Sequence, residues 1–133
     1  MSKRAKPTVL CDTNIYFRAF RGDPTILQEL NHIGFDRLAL SSITKGEIYF
    51  GMKDSEVTRT KVLLNLFKTY PLSTEISIRF ERMMYQYRKL NPQLPDCLIA
   101  ATALSTNAQL FTLNRKDFTF YRDLTLYNPI YSH

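Results

Sequence analysis

Asp12, Glu47 and Asp96 lie far apart in the chain, and each sits where local sequence would turn a carboxylate inward at the mouth of an α/β sheet. Asp12 closes the run Thr8-Val9-Leu10-Cys11. Glu47 ends Ser41-Ser42-Ile43-Thr44-Lys45-Gly46-Glu47. Asp96 follows Pro95 and opens the small, aliphatic stretch 97–104. Carboxylates gathered without a cation repel one another, which raises their pKa values and weakens the fold. An all-oxygen cluster suits Mg²⁺ or Mn²⁺. The chemistry implied is metal-dependent hydrolysis of a phosphodiester.

Each acid also has a purely structural reading. Asp12 is a favoured residue type for capping the helix that follows it. Thr44-Lys45-Gly46-Glu47 spells a capping box, in which Glu47 would bond back to the backbone of Thr44. Asp96 after Pro95 suits the first turn of a helix, where the dipole favours an acid. Three independent caps need no shared site, so the elements around them must decide.

Residues 8–12 read as a short buried strand and 14–20 as a helix, broken by the turn Arg21-Gly22-Asp23-Pro24. Pro24 fits the first turn of a second helix, with Ile26, Leu27 and Leu30 on one side and Gly34 as its stop. Residues 38–40 form a second strand and 43–52 a helix. A longer helix is expected over 55–68, carrying Val57, Leu63, Leu64 and Phe67. The stretch 76–90 is amphipathic, with Phe80, Met83, Met84 and Tyr87 at helical spacing, a pattern that suits the core or a partner contact. Residues 91–95 make a rigid connector. The helix 96–105 is apolar nearly all round and should be buried. Strands at 109–112 and 124–127 complete the set.

Alternating strands and helices predict an α/β fold: a three-layer α/β/α sandwich around a mainly parallel sheet. Ligands in such folds bind beyond the carboxyl ends of the strands, at the switch point. Asp12 ends the first strand. Asn114 and Asp117 fall just past the strand containing Phe111. Glu47 and Asp96 are expected in the first turns of helices that start from the same edge.

The 133 residues predict one domain, with a flexible basic N-terminus over 1–7. A hydrophobic share of 44% and a charged share of 23% exclude a disordered chain. No apolar run approaches the roughly 18 residues that span a bilayer, and the N-terminus lacks a signal-peptide core, so a cytoplasmic protein is expected. Cys11 and Cys97 form no metal-ligand pattern and read as buried small hydrophobes, Cys11 pointing into the core while Asp12 faces the site. His32 and His133 have no partners at a recognisable spacing. The net charge of +6 suggests a polyanionic partner, although the cations are scattered.

The ordered set of motifs resembles the PIN-domain ribonucleases, and among them the VapC-type toxins. The carriers are Val9-Leu10-Cys11-Asp12-Thr13-Asn14-Ile15, then Arg21-Gly22-Asp23-Pro24, then residues 43–51 ending in Tyr49-Phe50-Gly51. Asp96-Cys97-Leu98-Ile99-Ala100-Ala101-Thr102-Ala103-Leu104 is the most specific, and Thr112-Leu113-Asn114-Arg115-Lys116-Asp117-Phe118 with Asn128-Pro129 closes the series. The likeness runs over roughly residues 8–129. It departs where many relatives carry a fourth acid: Asn114 takes that place and Asp117 lies three residues on. The segment between the Glu47 and Asp96 motifs is also somewhat short.

The resemblance implies an endoribonuclease that uses Mg²⁺ or Mn²⁺. Asp12 and Asp96 would be direct ligands and Glu47 the third acid, with Asp117 or Asn114 orienting the attacking water. Thr13 and Asn14 would support ligands or phosphate, and Arg115 and Lys116 would contact the RNA backbone. It further implies a VapB-type antitoxin and a homodimer. Two rivals of other classes fit less well. A phospho-receiver domain wants an acidic pair after the first strand, where Asp12 stands alone. A dehalogenase-type phosphatase wants Asp-x-Asp, where Asn14 stands instead. A PIN-like domain that binds RNA or a partner without cutting is the remaining alternative, as is a PIN nuclease that is not a toxin.

Overall fold

The computed structural model describes residues 6–131, so most of the N-terminus expected to be flexible lies outside the described residues. Strand β1 (Val9–Cys11) leads through Asp12 into α1 (Thr13–Phe20), and Asp23 caps α2 (Pro24–Ile33). Then come β2 (Leu38–Ser41), α3 (Ser42–Gly51), α4 (Val57–Leu64) and β3 (Lys68–Tyr70). The chain ends with α5 (Thr74–Gln86), α6 (Leu94–Thr106) and β4 (Gln109–Phe111), followed by a 3₁₀ turn at Arg115–Asp117 and an irregular tail.

The four strands form one parallel sheet in the order β3-β2-β1-β4. Successive strand residues face opposite ways, and that alternation builds two cores. Val9, Cys11, Leu38, Leu40 and Phe111 face α1, α2 and α4. Leu10, Ala39 and Leu110 face α5 and α6. The three-layer α/β/α sandwich is therefore present. After β3 the chain returns to the far side of β1, so the switch point falls at the carboxyl ends of β1 and β4.

Helix α6 has the buried, all-round apolar character its sequence predicts: Cys97, Ile99, Ala100, Ala101 and Ala103 are all in the core. Both cysteines are buried. Phe80, Met84 and Tyr87 pack against the second core around Met83. No helix of the described residues is long and apolar enough to cross a membrane.

Four expectations need correction. The helix predicted over 55–68 is shorter: after a 3₁₀ turn at Asp54–Glu56, α4 ends at Leu64 and the chain turns into β3. Phe67 drops into the first core, and Thr69 pairs with Leu40. The strand predicted over 124–127 is a single parallel bridge between Leu110 and Leu126. Asp123 before it is left-handed at φ 67°, and Pro129 after it has no N–H, which leaves no length for a ladder. On α2 the buried arc is Ile26, Glu29, Leu30 and Ile33, and Leu27 is 45% exposed. The amphipathic helix stops at Gln86, and residues 88–90 form a separate 3₁₀ turn before left-handed Asn91.

Candidate active site

Asp12 serves as both a cap and a site residue. It leaves β1 in extended conformation and its Oδ1 accepts the backbone N–H of Asn14 at 2.9 Å, capping α1. Its Oδ2 accepts the hydroxyl of Thr112 at 2.6 Å, from the end of the neighbouring strand β4. The same Thr112 oxygen accepts the N–H of Asn114 at 3.0 Å. One buried hydroxyl thus locks the first acid to the last motif. Burial pushes the Asp12 carboxyl upward against these donors, and the nearby charge of Glu47 adds to the rise.

Glu47 lies on the sixth residue of α3, one turn deeper than expected. Ser41, the last residue of β2, is the true N-cap, accepting the N–H of Ile43 at 3.2 Å. Thr44 is therefore inside the helix and buried, and no capping box forms there. Glu47 is turned instead toward α1, where Thr13 Oγ1 donates to its Oε1 at 2.5 Å and lies 3.2 Å from Thr44 Oγ1.

Asp96 is the third residue of α6, behind Pro95. It is half-buried, and among the described residues no hydrogen bond or ion pair holds it. Its carboxyl is pushed up to about 6, first by burial, then by the charges of Asp117, Asp12 and Glu47. All three other acids are thus close enough to be felt at Asp96.

A cavity of about 600 Å³ collects Asp12, Thr13, Asn14, Glu47, Asp96 and Asn114 from four separate segments. Its other wall is apolar: Phe17, Ile43, Phe50, Leu72 and Ile99. Asp117 ends the 3₁₀ turn and acts on Asp96 from outside that lining. Arg115 and Lys116 do not line the cavity. The Arg115 guanidinium is tied to the tail, donating to the Tyr127 carbonyl at 3.1 Å and to Asn128 Oδ1 at 3.3 Å. Sequence reasoning missed Thr112, Thr44 and the apolar wall. Thr112 had one available signal, a hydroxyl at the end of the strand beside Asp12.

The donor set fits a hard dication. It is all oxygen, and Asp96 is an acid raised first by burial and then by like charges, with no donor to relieve it. Among the described residues no three carboxylate, imidazole or thiol groups are close enough to enclose one ion. Mg²⁺ does not require that, since it keeps several waters and binds through one or two carboxylates plus substrate phosphate.

Residues 9–122 match the PIN domain model. The chain belongs to the PIN-domain family. This PIN domain is 29% identical over 120 residues to ribonuclease VapC19 of Mycobacterium tuberculosis, covering 86% of this chain and 95% of that protein. It is 36% identical over 89 residues to ribonuclease VapC10 of the same organism, covering 65% of this chain and 67% of that one. A toxin–antitoxin complex from Klebsiella pneumoniae superposes on the PIN domain with a TM-score of 0.77 and 31% identity, over 89% of this chain and 96% of that one.

Proposed function

We propose that this PIN domain is a VapC-type endoribonuclease that hydrolyses RNA phosphodiester bonds with Mg²⁺ or Mn²⁺, and that it acts as the toxin of a toxin–antitoxin pair. The observation that carries the reading is the convergence of Asp12, Glu47, Asp96 and Asn114 on one cavity at the sheet's switch point. The homologous ribonucleases and the toxin–antitoxin complex support its two halves, the cleavage and the partner.

Asp12 and Asp96 would hold the cation, and Glu47 would complete its shell or orient a coordinated water. Bound there, the ion supplies acidification of water and neutralises charge developing on the phosphate. Thr112 and the Asn14 N–H fix both oxygens of Asp12, so that carboxylate meets its target without reorganisation. Thr13 aims Glu47 in the same way. Asn114, which lines the cavity, or Asp117 just outside it would orient the attacking water. The partner is a VapB-type antitoxin, the assembly a homodimer, and the cytoplasm, where RNA is met, the place of action.

The test is cleavage by purified protein free of any antitoxin. RNA is cut with Mg²⁺ or Mn²⁺ and not with EDTA, and Asp12→Asn and Asp96→Asn each abolish cutting while thermal unfolding stays cooperative. Expression of the wild type arrests growth and the Asp96→Asn form does not. Metal-independent cutting, or full activity in both variants, would overturn the reading.

A further inference from the structure

Phe50 is 94% exposed, on the same cavity as the acids. Folding gains from a Phe only the apolar area it takes out of water, so this ring contributes almost nothing where it stands. Its position is fixed from below. A Cβ on Gly51 would lie 2.7 Å from Cζ of Phe17, so the end of α3 rests directly on the Phe17 ring, and Phe50 is carried to the rim. With Phe17, Ile43 and Leu72 it makes an apolar wall facing Asp12, Glu47 and Asp96.

A site that acts only on a phosphate group has no use for such a wall. A nucleotide has both chemistries: an anionic phosphodiester for the acid-and-cation side, and a flat apolar base beside it. We propose that Phe50 is a substrate-binding residue that stacks an unpaired nucleobase of the RNA strand next to the bond being cut. The inference rests on the ribonuclease reading above and names the part of the substrate that the apolar half of the site takes. Aromatic side chains stack any base, because every base has a π-face, so Phe50 sets affinity for an unstacked nucleotide and not for one particular sequence. A base inside an A-form duplex is already stacked and cannot reach the ring. A protein segment could also cover an exposed ring, but continuity with the acids favours the substrate, and the test separates the two.

The experiment measures binding by fluorescence anisotropy in Mg²⁺, using protein that carries Asp96→Asn so that the probe survives. Two probes are compared: a random-sequence single-stranded RNA octamer pool, and an octamer of ribose phosphates without bases. Adding Phe50→Ala weakens binding of the pool by about tenfold and leaves the base-free octamer within twofold. Phe50→Tyr restores the pool's affinity, and Phe50→Leu, apolar but not aromatic, does not. Equal loss on both probes, no loss on either, or rescue by Leu would overturn the assignment. Wild-type cleavage is scored separately on total cellular RNA with Mg²⁺ and with EDTA. Cutting that does not depend on the metal sinks the ribonuclease reading, whereas metal-dependent cutting with unchanged Phe50→Ala binding sinks only the stacking role.

Discussion

Thr13 has one hydroxyl proton, and the 2.5 Å contact directs it at Glu47 rather than at Thr44. Glu47 is thereby aimed at the cavity by a side chain of another helix. Its own helix start is capped by Ser41, so Glu47 carries no capping duty. Glu47→Gln keeps an acceptor for Thr13 and removes the charge. We expect a melting temperature within about 2 °C of wild type and at least a hundredfold loss of RNA cleavage. Retained cleavage would make Glu47 a structural residue.

Asp96 gives a second prediction at the same scale. Its folded-state pKa of about 6 lies above the ordinary Asp value of 3.8, so the native state binds this proton more tightly than the unfolded chain does. The associated stability is present below 3.8 and is lost as pH rises through 6. Asp96→Asn removes that loss. In metal-free buffer the variant's melting temperature should match wild type at pH 4 and exceed it at pH 7. Added Mg²⁺ at pH 7 should then raise the wild-type melt and not the variant's. A difference independent of pH would show that burial and the neighbouring acids do not raise the Asp96 carboxyl.

Among the elements, α3 shows how far sequence reasoning carried and where it stopped. The strands before Asp12 and around Phe111, each a residue or two shorter than expected, and the buried helix α6 were readable, because apolar runs bounded by polar turns leave few alternatives. The capping box at Thr44 misled, because the Thr-x-x-Glu spacing is a local pattern and the cap came from Ser41 at the end of β2. Strand β3 was hidden because Leu64 and Phe67 continue a helical rhythm, and only pairing with β2 ends it. Glycines on α3 give this scale its prediction. A Cβ at Gly46 meets nothing within 4 Å, whereas at Gly51 it strikes the Phe17 ring. Gly46→Ala should therefore stabilise by about 0.5–1 kcal/mol through backbone entropy alone. Gly51→Ala should destabilise by about 1 kcal/mol, since overpacking outweighs that gain. Denaturant midpoints moving in the same direction for both would refute the close approach of α3 to Phe17.

Across the whole molecule, the tail ties α2 to the segment that follows β4. Glu29 on α2 is 0% exposed and accepts the Tyr127 hydroxyl at 2.6 Å and the Tyr131 N–H at 2.7 Å. No sequence pattern announced this, because a buried acid on an apolar arc is legible only once its donors, from the far end of the chain, are in place. The Tyr127 ring lies 5.1 Å from that of Phe111, and its carbonyl holds Arg115, so the tail braces the strand that carries Thr112. The acids themselves are positioned more locally: Asp12 bonds to Phe111 and Thr112 directly. Tyr127→Phe keeps the ring packing and takes one donor from a buried carboxyl, which costs about 1–3 kcal/mol. The expected outcome is a melt lower by several degrees, with RNA cleavage well below the melting temperature held within about twofold of wild type. Were kcat to fall tenfold with the fold intact, the tail would be positioning the last motif for catalysis, and the local bonds of Asp12 would not suffice to hold the site.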